Sequence, residues 1–172
     1  MRKIIRLNKD WRFFRGDIEL PVPMNKGAVV YQSKTVRKLM GPAAYHYDDS
    51  MKGYRDALYE LRDEGWRDVD IPHDYIVGQE PKATNNAQKG FFEYTNAWYR
   101  KHFSLQGENA EGKRILLQFD GVAHEATVYI NGILVKRNFA FAVSFEIDIS
   151  DLAYRDKENV LAVYVNTQEF EG

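Results

Sequence analysis

No cysteine occurs anywhere in the 172 residues, which excludes disulfides and thiolate-bound metal. That absence leaves the compartment open, because many exported bacterial proteins also lack cysteine. No apolar run is long enough to span a bilayer. Met1 leads straight into Arg2-Lys3-Ile4-Ile5-Arg6-Leu7 with no apolar signal core behind the charges. A cytoplasmic location and an exported protein without its signal both fit that start. No long block of one charge sign appears, and 24 basic residues face 25 acidic ones, for a net charge of −1. The clustered basic face that nucleic acid demands is therefore missing. There is no internal repeat and no low-complexity segment.

What is present is an ordinary globular composition, 44% hydrophobic and 28% charged, long enough for one domain with a real core. Aromatic residues make up 14%, with 11 Tyr and 10 Phe, which suits pleated surfaces and, secondarily, sugar binding. The second half alternates with period two. Ile115, Leu117 and Phe119 alternate with Arg114, Leu116 and Gln118. Ala126, Val128 and Ile130 alternate with Thr127 and Tyr129. Val143, Phe145, Ile147 and Ile149 face one way and Ser144, Glu146, Asp148 and Ser150 the other. Leu161, Val163 and Val165 alternate with Ala162, Tyr164 and Asn166. Such alternation marks strands with one buried face. Asn131-Gly132 between two such runs signals a type I′ hairpin. Val128, Ile130, Phe145, Ile147, Val163 and Val165 are the expected core, and the even spacing of strands predicts a sandwich.

The first half is less regular. Trp11 to Asp17 reads as a strand ending in a turn. Tyr54, Ala57, Leu58 and Leu61 have helical spacing, which predicts a short helix over residues 51–62, with one strand near residues 28–31. Residues 78–95 contain Pro81, Asn85-Asn86 and Gly90 and read as a long loop, a common carrier of function on a rigid scaffold.

Five short motifs recur in order: Ile71-Pro72-His73-Asp74-Tyr75, Ala97-Trp98-Tyr99-Arg100-Lys101-His102-Phe103, Phe119-Asp120-Gly121-Val122, Val128-Tyr129-Ile130-Asn131-Gly132 and Phe145-Glu146-Ile147-Asp148-Ile149-Ser150. Each alone is weak. Together, over most of the chain, they resemble the N-terminal domain of glycoside hydrolase family 2, the β-galactosidase and β-glucuronidase group. The resemblance implies an all-β, antiparallel jelly-roll β-sandwich of the galactose-binding-domain-like type, here with one short helix. It implies that residues 1–172 are a single domain taken from a larger enzyme. The immunoglobulin-like domain and the TIM barrel with its two catalytic glutamates would lie beyond Gly172. The chain by itself is then expected to be inactive, with no catalytic residue, no cofactor and no metal. Pro-His-Asp-Tyr and Phe-Glu-Ile-Asp-Ile-Ser look most like the β-galactosidase branch.

The acids agree with that expectation. Retaining glycoside hydrolysis needs two carboxyl groups about 5–5.5 Å apart with divergent pKa values. Glu146 and Asp148 share a polar strand face and read as solvated or cross-strand paired. Asp48-Asp49 precede the expected helix, where acids suit a helix N-terminus, and Asp63-Glu64 flank its end. His73 and Asp74, adjacent in an extended segment, point to opposite faces and make no direct dyad. His46, His102 and His124 show no ligand spacing. Trp98 and Arg100 invite a sugar-stacking reading, but alternation puts Tyr99, Phe103 and Leu105 on one face and Trp98, Arg100 and His102 on the other. That favours a structural sandwich strand with one aromatic face in the core.

Two loops remain. The resemblance implies that the loop between the Pro-His-Asp-Tyr turn and the Trp-Tyr-Arg strand overhangs the barrel. An Asn there contacts sugar hydroxyls in some members. Asn85 is the nearest match and Asn86 the second substrate-binding candidate, since an amide both donates and accepts. The loop is expected to be exposed, with few buried contacts. The segment after the hairpin, Lys136 to Ala142, carries Ala140, Phe141 and Ala142 where many members have Gly-Gly-Tyr or an Asp. That change argues against an acid-mediated sugar or cation contact from this loop. Besides the accessory domain of a glycosidase, two readings stay open. One is an independent carbohydrate-binding module using Phe91, Phe92 and Tyr94. The other is a purely structural interaction sandwich.

Overall fold

The computed structural model describes residues 2–18, 41–50, 65–108 and 110–167. The expected helix over 51–62, the strand near 28–31 and Asp63-Glu64 lie outside those residues. The described strands are β1 (Trp11–Arg15), β2 (Arg67–Val69), β3 (Ala97–Ser104), β4 (Leu116–Phe119), β5 (Glu125–Ile130), β6 (Ile133–Asn138), β7 (Phe145–Asp148) and β8 (Glu158–Asn166). Six form one sheet in the order β2-β1-β3-β8-β5-β6, and β4 pairs with β7 in a second sheet. Every pairing is antiparallel. The architecture is the expected antiparallel sandwich.

Alternation explains the core between the sheets. Phe103 of β3, Leu161, Val163 and Val165 of β8, and Ala126, Val128 and Ile130 of β5 meet Leu117 of β4 and Ile147 and Ile149 of the β7 limb. Five of the six expected core residues are buried. Phe145 is half-buried instead, because it opens β7 at the sheet margin. There it stacks on its register partner Phe119, with ring centroids 4.7 Å apart. Val143 lies before the strand begins and is exposed. The hairpin is as expected, with Asn131 at φ 50° and Gly132 at φ 86°.

Beyond the single-face pattern, β8 is buried on both faces. Val160 and Ala162 belong to the face turned away from β4 and β7 and are buried too. Residues 41–50 and Trp66 cover that second face. The clamp is Arg100 of β3, with 0% exposure. Its Nε donates to Asp49 Oδ2 at 2.7 Å, Nη1 donates to the carbonyls of Pro42 and Ala44, and Nη2 donates to the Tyr47 carbonyl at 3.3 Å. Arg12, the register partner of Arg100 on β1, donates to the Asp49 and Trp66 carbonyls. A planar guanidinium with five donors can hold an irregular backbone this way, and lysine cannot.

At the polar end of the hairpin, Asn131 does more than turn the chain. Its side chain donates to Leu152 O and Asn159 Oδ1 and accepts from Val160 N, all at 2.9 Å. Asn159, fully buried, exchanges two hydrogen bonds with the Tyr154 backbone. The Asp120-Gly121 motif also has a packing reason. A Cβ on Gly121 would lie 3.1–3.2 Å from the Ala142 backbone, so glycine lets the segment after β6 approach.

Candidate functional site

Strand register places several loops together. Arg15 of β1 pairs with Ala97, Ala97 with Val165, Val165 with Ala126, and Ala126 with Asn138. The ends of β1, β6 and β8 and the starts of β3 and β5 therefore share one end of the sandwich. The loop over residues 78–95 leaves from this end, as do Gly121–Glu125 and Phe139–Ser144.

The 78–95 loop is exposed, and none of its residues is fully buried. It is nevertheless tied across its width. Lys82 N donates to Phe91 O at 3.0 Å, Asn85 N to Lys82 O at 2.8 Å and Phe91 N to Asn86 O at 3.0 Å. A 3-10 helix over Ala87–Lys89 sits inside what the sequence reads as plain loop. Asn86 caps it, its Oδ1 accepting from Gln88 N at 2.8 Å, and Gly90 closes it in the left-handed region. Asn85, half-buried, donates from Nδ2 to Phe91 O at 3.0 Å. That bond fixes the amide plane and leaves the Oδ1 acceptor and one N–H for a ligand. Phe91 beside it is 42% exposed at φ 63°.

The Pro-His-Asp-Tyr turn builds the loop base. Asp74 Oδ1 accepts from Ile76 N at 2.8 Å, an Asx turn. His73 Nδ1 meets Tyr99 OH at 2.9 Å on another side, so the two residues diverge as their adjacency predicts. Burial holds the Tyr99 hydroxyl protonated, and burial with Arg67 nearby lowers His73. Tyr99 thus donates to a neutral imidazole, which is a structural contact.

The acids on β7 are paired as expected. Asp148 is brought down to about 2, first by Ser150 and then by Arg114. Glu146 stands 3.9 Å from Arg2. The sugar-stacking reading of Trp98 with Arg100 fails. Arg100 is wholly inside, and Trp98 packs on Tyr164 at 4.9 Å and Tyr129 at 6.1 Å. Asp49 binds Arg100 and His102 across the molecule, and the helix it was expected to precede lies outside the described residues. Among the described residues, no group of three or more His, Cys, Asp or Glu side chains is placed to hold a metal ion. No described helix is long and apolar enough to cross a membrane.

His102 is the other titratable feature. Nε2 lies 2.9 Å from Asp49 Oδ2 and Nδ1 lies 2.9 Å from Glu158 Oε2. Two carboxylates on two ring nitrogens require both N–H donors, so His102 is an imidazolium here. The hydrogen bond to Asp49, backed by Glu158, raises His102 above its ordinary value of about 6.5 against the cost of burial. Burial pushes Asp49 up, but hydrogen bonds from His102 and Arg100 outweigh it and the net shift is downward. A raised histidine contributes stability that is complete below about pH 6.5 and is lost as pH rises through the folded value. A lowered carboxylate contributes stability present above about pH 4 and lost on acidification. Stability is expected to peak between those limits. Denaturation midpoints measured from about pH 5 to about pH 9 should fall on the alkaline side, and His102→Gln should flatten that limb. An unchanged limb in the variant would assign the pH dependence elsewhere.

Sequence reasoning missed part of this end. Phe139, Phe141 and Val143 are 66%, 56% and 55% exposed beside the Gly121 approach, and Phe141 packs on His124 with ring centroids 4.9 Å apart. The available signal was the break in alternation at Ala140-Phe141-Ala142. Tyr75 and Gln79, which close the loop base, gave no signal beyond the Pro-His-Asp-Tyr motif itself.

The family profile described as glycosyl hydrolase 2 galactose-binding domain-like matches residues 73–171, more than half of the chain. The chain belongs to that family. The domain is 34% identical over 128 residues to the β-galactosidase BoGH2A of Bacteroides ovatus, covering 73% of this chain and 14% of that protein. It is 25% identical over 169 residues to a β-glucuronidase of Formosa agariphila, covering 96% and 14%. Among solved structures, a β-glycosidase from Bacteroides vulgatus superposes with TM-score 0.67 at 26% identity, over 94% of this chain and 17% of that one. A family 2 member from Bacteroides cellulosilyticus gives 0.65 at 26%, over 95% and 18%. The galactose-binding-like domain thus spans 14–18% of the length of these relatives.

Proposed function

We propose that this domain is the non-catalytic N-terminal part of a retaining β-glycosidase of the β-galactosidase kind. Its loop over residues 78–95 completes the sugar site of a TIM barrel reached through an immunoglobulin-like domain. The observation that carries the reading is the Asn85 amide. It is fixed by its bond to Phe91 O within an exposed, cross-tied loop and keeps an acceptor and a donor for a hydroxyl-rich ligand. Asn86 already spends one Oδ1 lone pair on the helix cap, which ties its amide to the loop backbone and makes it the lesser contact.

None of Asp148, Glu158 and Asp49 is free to act as an acid or nucleophile, because each is engaged with a cation or cap. The 172-residue chain by itself is therefore expected not to turn over a nitrophenyl galactoside above a buffer blank. In a polypeptide that includes the barrel, Asn85→Ala should lower kcat/KM roughly ten- to a hundredfold, the loss of one or two hydrogen bonds to a neutral ligand. The folding transition should barely move, since Asn85 supports no core packing. Full kcat/KM of that variant on galactosides, glucuronides and mannosides alike would remove Asn85 from the sugar site.

A second reading, an independent carbohydrate-binding module, draws on the exposed Phe91 ring next to Asn85. Calorimetric titration of the isolated chain with galactose and short galactosides separates the two. Saturable heat supports the module, and none supports the accessory domain.

A further inference from the structure

The geometry points to Tyr75 as the positioning residue of the 78–95 loop, its hydroxyl fastening both limbs of that loop to the end of β8. Tyr75 OH donates to Thr95 O at 2.7 Å and accepts from Thr95 N at 3.2 Å. Thr167 Oγ1, just past β8, donates to the same Thr95 carbonyl at 2.8 Å and lies 3.0 Å from Tyr75 OH. Two hydroxyls thus fill both lone pairs of one carbonyl, at the residue where the loop turns into β3. The inference rests on the reading of this loop as the part of the domain that meets sugar.

The rest of the neck supports the same role. Gln79 bridges the two limbs. Its Nε2 donates to Tyr75 O at 3.1 Å and Glu93 O at 3.3 Å, and its Oε1 accepts from Glu93 N at 3.2 Å. Arg15, at the end of β1, reaches the Glu93 carboxylate at 3.2 Å and lies over the Tyr75 ring. Asn96, the residue after Thr95, accepts from Thr167 N and donates to Asp17. The loop base is therefore registered against the ends of β1, β3 and β8 at once. The Tyr75 ring itself stacks on Phe13, with centroids 6.1 Å apart. Removing only the hydroxyl separates positioning from packing.

Tyr75→Phe in the 172-residue chain tests this by amide exchange and by trypsin cleavage after Lys82 and Lys89. Expected is a rise on the order of tenfold in exchange at Asn85, Phe91 and Thr95 and in cleavage, with β5 and β8 amides unchanged. Thr167→Val should loosen the same amides, and the double variant should add little to either. Unchanged loop protection, or loss of protection in the sheet in proportion to the loop, would overturn the inference. In the barrel-containing enzyme, Tyr75→Phe should lower kcat/KM, and its effect should largely vanish when Asn85 is already Ala. An equal loss in both backgrounds would count against positioning through Asn85. A loosened loop in Tyr75→Phe with full activity of Asn85→Ala supports the positioning role and defeats the sugar-contact reading alone.

Discussion

Arg100→Met is expected to lower the stability of this domain by about 3–5 kcal/mol, as breaking a buried ion pair from one side does. The substitution leaves Asp49, itself 9% exposed, without its buried counter-charge. It also strips donors from the carbonyls of Pro42, Ala44 and Tyr47. An abandoned buried acceptor costs about 1–3 kcal/mol. Domains of this size are stable by only about 5–15 kcal/mol, so the variant sits near the edge of unfolding. Arg100→Lys should recover little, because one ammonium cannot reach three carbonyls and a carboxylate in a fork. Urea denaturation of the chain checks the result. A loss under about 1.5 kcal/mol, below the range seen for broken buried pairs, would show that residues 41–50 are not held by this guanidinium. No sugar contact is implied, so in the barrel-containing enzyme the damage should track the folded fraction.

Trp66→Ala is expected to cost about 3–5 kcal/mol, the usual range for deleting a buried Trp side chain. Trp66 is 2% exposed and lies between Phe14 and Tyr47, with ring centroids at 5.6 and 5.7 Å. Its Nε1 donates to Tyr47 OH at 3.2 Å. The indole thus covers the same second face of the large sheet that Arg100 clamps. Trp66→Phe should cost about half as much, since most of the apolar volume stays and the hydrogen bond to Tyr47 OH is lost. Trp66 and Arg100 share Tyr47 as a neighbour. Their double variant should therefore fall short of the sum of the single losses. Strict additivity would mean that the two hold the second face independently.

Alternation and turn chemistry were legible along the chain because they are local. A strand side chain repeats its facing every two residues, which is how Val128, Ile130, Ile147, Val163 and Val165 declared themselves. Asn131-Gly132 carried its own positive φ values. The same rule put Phe145 on the correct face but overstated its burial, and it misplaced Val143, because it says which face a residue takes and not where the strand starts. The site divided in the same manner. Residues 78–95 were recognisable as a long loop, with Asn85 its proposed sugar contact. That Asn86 caps a 3-10 helix depended on how the loop folds back on itself.

By itself the sequence determined the strand faces, the hairpin and the family to which the chain belongs. Only the tertiary structure decided that Arg100 is a clamp rather than a sugar ligand, since its partner Asp49 is 51 residues away. It also decided that Asp49 binds across the sheet, and that Gly121 is small for the sake of Ala142. The hydroxyl of Tyr75 likewise meets Thr167 92 residues along the chain. Periodicity is a property of neighbours on one strand. A buried charge or a shared carbonyl is a property of where distant strands come together, and no local spacing encodes it.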